Sequence, residues 1–438
     1  MTIVAQKLNS EVKIPLGEIK ERIETRITQG VFLANMLRVA REEGPRLQDA
    51  FATHVEHIAT SLDAFLRNND LVVATPYQPG AYWPKQCGKT FAFVDGGVAN
   101  VNLPNAAPLG IRVGSYIVRP GDETAAREEF RVEIGIVDDL YSEEGGTYDD
   151  RFDDRAKLQD AARIISEAAG CLSLLRRRLD ISLALLHGPL VNPVAPYGTP
   201  GFPCYTEKAA EALCGEPVPS TGDRHFVPLY RRILEMLKDA DASVVGVIER
   251  DGGGRPVLER ILKEMNSRGD LSTADMNDGL TLLRRYDLSD AQILDIVLRS
   301  GEYLRPVVVN RQGKRHKWPE KWEETIETYP PVLTSYLKPS EFVRPFRIEA
   351  FETEKHFDDA AALILATSRL LPGYGFPVAL DIVDKFAKVP AWLSKQISAG
   401  HRGLLLRRAL AAENEVVREY AMKMLAVDTR DWFFRPKA

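Results

Sequence analysis

Residues 91–97 read Phe-Ala-Phe-Val-Asp-Gly-Gly. An apolar run of this length predicts a buried strand, and this one ends in a single carboxylate, Asp95, with two glycines behind it. A strand fixes the direction of the carboxylate. Gly96 and Gly97 let another group come close to the backbone, because neither carries a Cβ. A hairpin corner is the competing reading, since Asp-Gly is a common turn signal.

The segments around this run predict an order of elements. Strand-like runs at 91–103, 109–119 and 129–138 are joined by short turn-like links, Pro104-Asn105 and Pro120-Gly121-Asp122, which imply an antiparallel meander. A helix is predicted from about Asp153 to Arg178, a fourth strand over 181–191, a helix over 226–239 and a fifth strand over 242–249. The helix between strands three and four permits a crossover that sets strand four parallel to strand one. Three antiparallel strands followed by helix, strand, helix and strand is the order of the ribonuclease H-like α/β fold, with a mixed sheet. In that order strands one and four are neighbours, so Asp95 and the end of strand four should lie close together.

The remaining segments divide as follows. Residues 1–75 form an N-terminal helical region and 76–250 the ribonuclease H-like core. Residues 251–340 are a helical insertion. Residues 341–438 return to the core with a strand near 344–351 and helices at 356–371 and 377–425. A Pro/Gly-rich stretch covers 188–222.

Bulk properties narrow the classes. The 438 residues are 45% hydrophobic and 27% charged, ordinary for a water-soluble globular chain. No run approaches the length of a membrane span, and residues 1–26 lack the layout of a signal peptide. Cys87, Cys171, Cys204 and Cys214 form no metal spacing and read as reduced thiols of a cytoplasmic protein. The net charge of −5 excludes a globally basic nucleic-acid binder but leaves room for a local basic groove.

Hydrolysis of a phosphodiester at neutral pH usually needs divalent metal, and Mg²⁺ or Mn²⁺ favours oxygen ligands from rigid elements. The candidates are Asp95, a carboxylate on the 153–178 helix, and His187 at the end of strand four. On the helix Asp160, Arg163 and Glu167 share one face, opposite Leu158, Ala161, Ile165, Ala168 and Leu172. That pattern is also that of an ordinary amphipathic helix. His187-Gly188-Pro189 can be a metal ligand or a structural strand end. Other motifs carry less. Gly88-Lys89-Thr90 fails as a phosphate loop because it leads into a strand. His54 and His57 read as a solvated helix face. Gly252 to Gly254 reads as a flexible loop. The aromatic cluster Trp432 to Phe434 reads as a docked tail or a partner hook.

In order along the chain, FAFVDGG, the helix bearing Glu167, LALLHGPL, SVVGVIER, DAQILDIVLRSGEYLRP and GYGFPVALDIVDKFAKV resemble the NurA nuclease family over about residues 90–390. The resemblance implies a Mn²⁺- or Mg²⁺-dependent DNA nuclease. It implies a homodimer that works with a hexameric HerA-type ATPase in DNA-end repair or anti-phage defence. Asp95 matches the family's first metal-binding aspartate. Glu167 matches its helix glutamate, with Asp160 as the alternative, and Tyr374 matches a tyrosine near the active site. Two positions depart from the pattern. His187 stands where the family usually has aspartate, and Asp384 stands where a histidine is usual. Either the site is rebuilt from the exchanged pair, or the chain is a catalytically weakened or inactive subunit that acts as adaptor or regulator of the ATPase ring. Basic runs are candidate DNA contacts, foremost Arg311, Lys314, Arg315 and Lys317, which lie beside Trp318 and can neutralise phosphates.

Overall fold

The computed structural model describes residues 62–100, 109–136, 155–199, 201–249, 256–269, 271–285, 288–309, 320–354, 356–371 and 373–388, with scattered residues elsewhere, notably 140–141 and parts of 400–419. The chain divides into two compact units, Met1–Ala64 and Phe65–Ala438. The first is helical at its described residues. The second holds one large mixed sheet.

Its strands are β1 (Val72–Ala74), β2 (Thr90–Asn100), β3 (Leu109–Val118), β4 (Glu128–Ile136), β5 (Ile181–His187), β6 (Ser243–Ile248), β7 (Glu302–Leu304), β8 (Val307–Val309), β9 (Val332–Leu337) and β10 (Phe346–Phe351). The helices used below are α1 (Arg155–Arg177), α2 (Glu207–Cys214), α3 (Phe226–Lys238), α4 (Pro256–Arg268), α5 (Thr273–Arg285), α6 (Asp290–Val297), α7 (Glu323–Glu327), α8 (Phe357–Ser368) and α9 (Val378–Ala387).

The sheet order is β1-β7-β9-β10-β6-β5-β2-β3-β4, with β8 paired to β9. β2, β3 and β4 form the expected antiparallel meander. α1 then crosses over, so that β5 pairs with β2 in parallel, and β6 pairs with β5 in parallel. Counted along the meander and crossover this is the 3-2-1-4-5 order of the ribonuclease H-like fold. The Asp-Gly-Gly run is not a corner: β2 continues through Gly96 and Gly97 to Asn100, paired to β3 throughout.

Alternation decides what each face carries. Ala92 and Val94 of β2, Ala184 and Leu186 of β5, and Val244 of β6 point into a core shared with α1 and α3. Phe91, Phe93, Leu183, Leu185, Val245 and Val247 point the other way, into a core closed by α8 and α9. The apolar face expected of α1 is the buried one, with Leu158, Ala161, Ile165, Ala168 and Leu172 all buried.

Two features of the core's surroundings were not expected from sequence. β7, β8 and β9 lie within the stretch read as a helical insertion, and β9 pairs with β10 inside the main sheet. Strands of three residues, as in β7 and β8, carry no periodicity to detect. α2 interrupts the Pro/Gly-rich stretch, started by the Thr206 hydroxyl, which accepts from the Ala209 N–H, and ended by Gly215 in the left-handed region at φ 69°. Among the described residues no helix is long and apolar enough to cross a membrane.

Candidate metal centre

Parity along β2 places Asp95 on the same face as Phe91 and Phe93, and parity along β5 places His187 with Leu183 and Leu185. The register sets Val94 opposite Leu186, so Asp95 and His187 are adjacent where the parallel pairing of β2 with β5 ends, at the carboxyl end of β5. The carboxyl edge of parallel strands is where open α/β sheets commonly bind ligands. The Asp95 Oδ2 and His187 Nδ1 atoms are 3.0 Å apart. Asp95 Oδ1 accepts the Gly96 N–H at 2.8 Å. Phe376 packs on the imidazole, with ring centroids 5.3 Å apart.

The third member comes from α9. Asp384 offers a carboxylate oxygen so that one ligand atom from each of Asp95, His187 and Asp384 lies within 4.8 Å of the others. α9 can approach because of Gly97: a Cβ there would stand 2.2 Å from the Ala387 carbonyl oxygen. Asp384 is also paired with Lys388 one turn on.

Burial raises the pKa of Asp95 above the ordinary carboxylate value, opposed by the bond to His187. Burial pushes His187 down, but the Asp95 carboxylate and the nearby charges of Asp384 and Glu249 outweigh it and the imidazole is raised. The pair therefore holds a proton tightly when no cation is present.

These residues fit a metal ion. Two carboxylates and one imidazole converge at a strand end where solvent access is small. Two carboxylate oxygens and one imidazole nitrogen, within 4.8 Å of one another, form a donor set of the kind that first-row divalent ions accept.

Glu167 arrives from the opposite layer. It lies on α1, under the other face of the sheet, and meets β2 where Gly96 leaves a gap. A Cβ on Gly96 would stand 2.3 Å from Glu167 Cγ and 2.6 Å from Oε1. The two glycines of the opening motif thus serve two different neighbours, one on each face. Burial raises the Glu167 carboxyl to about 7, opposed by Arg163 and reinforced by Asp95. Arg163 holds Glu167 at 2.7 Å and Asp160 at 2.8 Å. Asp160 is also bound by the Tyr197 hydroxyl. Glu167, whose carboxylate lies against Gly96, is thus the helix carboxylate beside Asp95.

Tyr374 is 42% exposed on the α8–α9 link, and burial and a hydrogen bond to Asp381 raise its hydroxyl. Arg311, Lys314, Arg315 and Lys317 lie outside the described residues, as do His54, His57, Gly252 to Gly254 and Trp432 to Phe434. Arg177 and Arg178 are paired with Glu133, Glu129 and Asp180, and Arg176 donates to the Cys214 carbonyl.

Two acids near the site escaped sequence reading. Glu249 follows β6 and acts electrostatically on both His187 and Tyr374. A carboxylate just past the end of a central parallel strand was the available signal. Glu349 is fully buried on β10, pairs with Arg347 at 3.2 Å, and accepts the Leu190 N–H at 3.1 Å. A lone acid inside the apolar run FRIEAF was its signal. Glu349 anchors the chain leaving β5. That chain crosses directly over Gly246, where a Cβ would lie 2.6 Å from the Gly188 carbonyl oxygen.

No curated protein matches the chain by sequence. Among solved structures, the NurA nuclease of Sulfolobus solfataricus superposes with a TM-score of 0.46 at 12% identity, over 83% of this chain and 97% of that one. A NurA bound to dAMP and manganese gives 0.42 at 10% identity, over 86% and 99%. Human ENDOV gives 0.29 at 13% identity, over 77% and 96%. The family model for the NurA domain matches residues 89–389, more than half of the chain and all of the sheet from β2 to β10. The chain belongs to the NurA family.

Proposed function

We propose that this protein is a divalent-metal-dependent deoxyribonuclease, with Asp95, His187 and Asp384 as metal ligands and Glu167 as the supporting carboxylate from α1. The observation that carries this reading is the convergence of Asp95, His187 and Asp384 from three separate elements. Aspartate and histidine have exchanged places relative to the usual family pattern, and the exchange keeps one imidazole and two carboxylates at one point. That favours a rebuilt site over an adaptor. The mixed donor set suits Mn²⁺ better than Mg²⁺.

The bound metal would activate a water and neutralise charge on the scissile phosphate. The protein's own residues prepare for this. Asp95 and His187 are held by strand register, so their positions cost little reorganisation. Phe376 limits how the imidazole can turn and restricts water on that side. Glu167 sits behind Gly96 with a carboxyl raised to about 7, so it can hold or release a proton near neutral pH beside Asp95. Arg163 fixes its direction. The Tyr374 hydroxyl, bonded to Asp381, stands at the exposed rim as a candidate contact to the phosphate.

The reading extends to the cellular setting. The protein is a cytoplasmic homodimer that processes DNA ends with a HerA-type ATPase, in repair or in anti-phage defence. Arg311, Lys314, Arg315 and Lys317 are its leading DNA contacts outside the centre. The test is cleavage of linear single- and double-stranded DNA in Mn²⁺ or Mg²⁺ by the unmodified chain and by Asp95→Ala. Mn²⁺-dependent cleavage that Asp95→Ala abolishes is expected. Cleavage that survives removes Asp95 from the site, and no cleavage with or without the ATPase favours the adaptor.

A further inference from the structure

Phe342 is 99% exposed, the most exposed of the large hydrophobic side chains described. It sits in the loop between β9 and β10, and it is not on a loose tail. Lys338 at the loop entry pairs with Asp295 at 3.0 Å, and Glu341 accepts the Ser300 N–H at 3.2 Å. Val343 packs into Gly375, where a Cβ would stand 2.4 Å from its Cγ2. The loop is pinned on both sides of the aromatic ring, which projects fully into solvent.

Its place in the sheet matters. β10 runs antiparallel to β6, and β6 runs parallel to β5. The start of β10 therefore lies at the carboxyl ends of β5 and β6, the same edge that carries Asp95, His187 and Glu249. Contacts join the two regions directly. His187 touches Phe376, Gly375 meets Val343, and Phe342 is the next residue. Arg344, two residues on, is exposed on the same loop, and Tyr374 is the neighbour of Gly375.

Resting on the nuclease reading above, we propose that Phe342 is a substrate-positioning residue: its ring stacks on an unpaired base of the strand being cut, with Arg344 beside the backbone phosphate. An aromatic ring stacks on any base, and a nearby cation tracks the phosphates, which is how single strands are held without sequence preference. Strands lie about 4.8 Å apart, so β10 is roughly 10 Å from β5 across the sheet. The proposal makes the protein select ends that carry a short unpaired stretch.

The test uses single-stranded oligonucleotides with 2-aminopurine at successive positions, bound to the full chain in an Asp95→Asn background so that the strand stays intact. Quenching at one or two adjacent positions is expected, lost in Phe342→Ala and kept in Phe342→Trp. Loss of one stacked base should weaken binding between about five- and 150-fold. Quenching and affinity unchanged in Phe342→Ala overturn the proposal. So does a change of oligomeric mass with strand binding intact, which would make Phe342 a protein interface. Cleavage by the otherwise unmodified chain is read separately. If Asp95→Asn abolishes it while Phe342→Ala leaves stacking unchanged, the stacking proposal fails and the nuclease reading stands.

Discussion

Glu167 occupies the space that a side chain on Gly96 would need, with its Cγ 2.3 Å from the position of the missing Cβ. A carboxylate from the layer under one face of the sheet thereby comes beside Asp95, which points to the other face. This gap at a single residue brings α1 against β2 one residue from Asp95.

Gly96→Ala should therefore act on Glu167. The added methyl displaces the carboxylate or the strand, and overpacking of this kind costs about 1–3 kcal/mol. Thermal denaturation should show that loss, and Mn²⁺-dependent cleavage should fall at least tenfold. In a Glu167→Ala background the same substitution should be nearly neutral for stability. A full cost in that background would mean the methyl meets something other than Glu167.

His187 and Asp384 should behave as an exchanged pair. His187→Asp makes the set all carboxylate, which suits Mg²⁺. The ratio of Mg²⁺- to Mn²⁺-supported cleavage should rise in this variant. His187→Asp combined with Asp384→His should recover more activity than His187→Ala does. An unchanged metal ratio would take His187 out of the ligand set.

Stability should depend on pH through Glu167. Its folded value of about 7 lies above the ordinary 4.5. The folded state then binds the proton more tightly, so this contribution is present below about 4.5 and lost as pH rises to about 7. His225, which burial pushes down to about 4, works in the opposite direction. The readout is therefore the difference between the metal-free protein and Glu167→Gln. Between pH 5 and 7 the unmodified chain should lose stability relative to the variant. The opposite slope would contradict the burial of Glu167.

Metal affinity should rise with pH. A ligand imidazole must be neutral and a ligand carboxylate ionised, and both Asp95 and His187 are raised. Protons therefore compete with the cation to higher pH than at an ordinary imidazole. Calorimetric titration with Mn²⁺ should show tighter binding and proton release at pH 8 compared with pH 6. Binding independent of pH would place the ion elsewhere.

Glu349→Ala should be among the most damaging substitutions. It leaves Arg347 buried beside a lost partner and the Leu190 N–H without its acceptor. Removing one member of a buried ion pair costs about 3–5 kcal/mol. Chemical denaturation measures this directly. A loss below 1 kcal/mol would mean that the segment after His187 does not depend on Glu349.

Much of this was legible in the residues. The apolar runs of β2, β3, β5 and β6 are bounded by turns, and α1 shows its buried face in Leu158, Ala161 and Ile165, so the core order follows from local pattern. Asp95, Glu167 and His187 were visible as polar groups at strand ends or on one helix face. Asp384 was visible only through the family resemblance. The rest depends on contacts distant in sequence. Nothing local to β7 or β8 marks three residues as a strand, and β9 becomes one because β10 pairs with it. Gly96 and Gly97 looked alike in sequence, yet one makes room for Glu167 and the other for Ala387. The role of Glu349 appears only once β5 and β10 share a sheet.

The central claim is that Asp95, His187 and Asp384 bind one divalent ion. Anomalous diffraction from crystals soaked in Mn²⁺ tests it most directly. The account predicts a manganese peak within ligand distance of Asp95 and His187, with Asp384 turned toward it, and its loss in Asp95→Ala. A well-ordered soak with no peak between these three residues would contradict it.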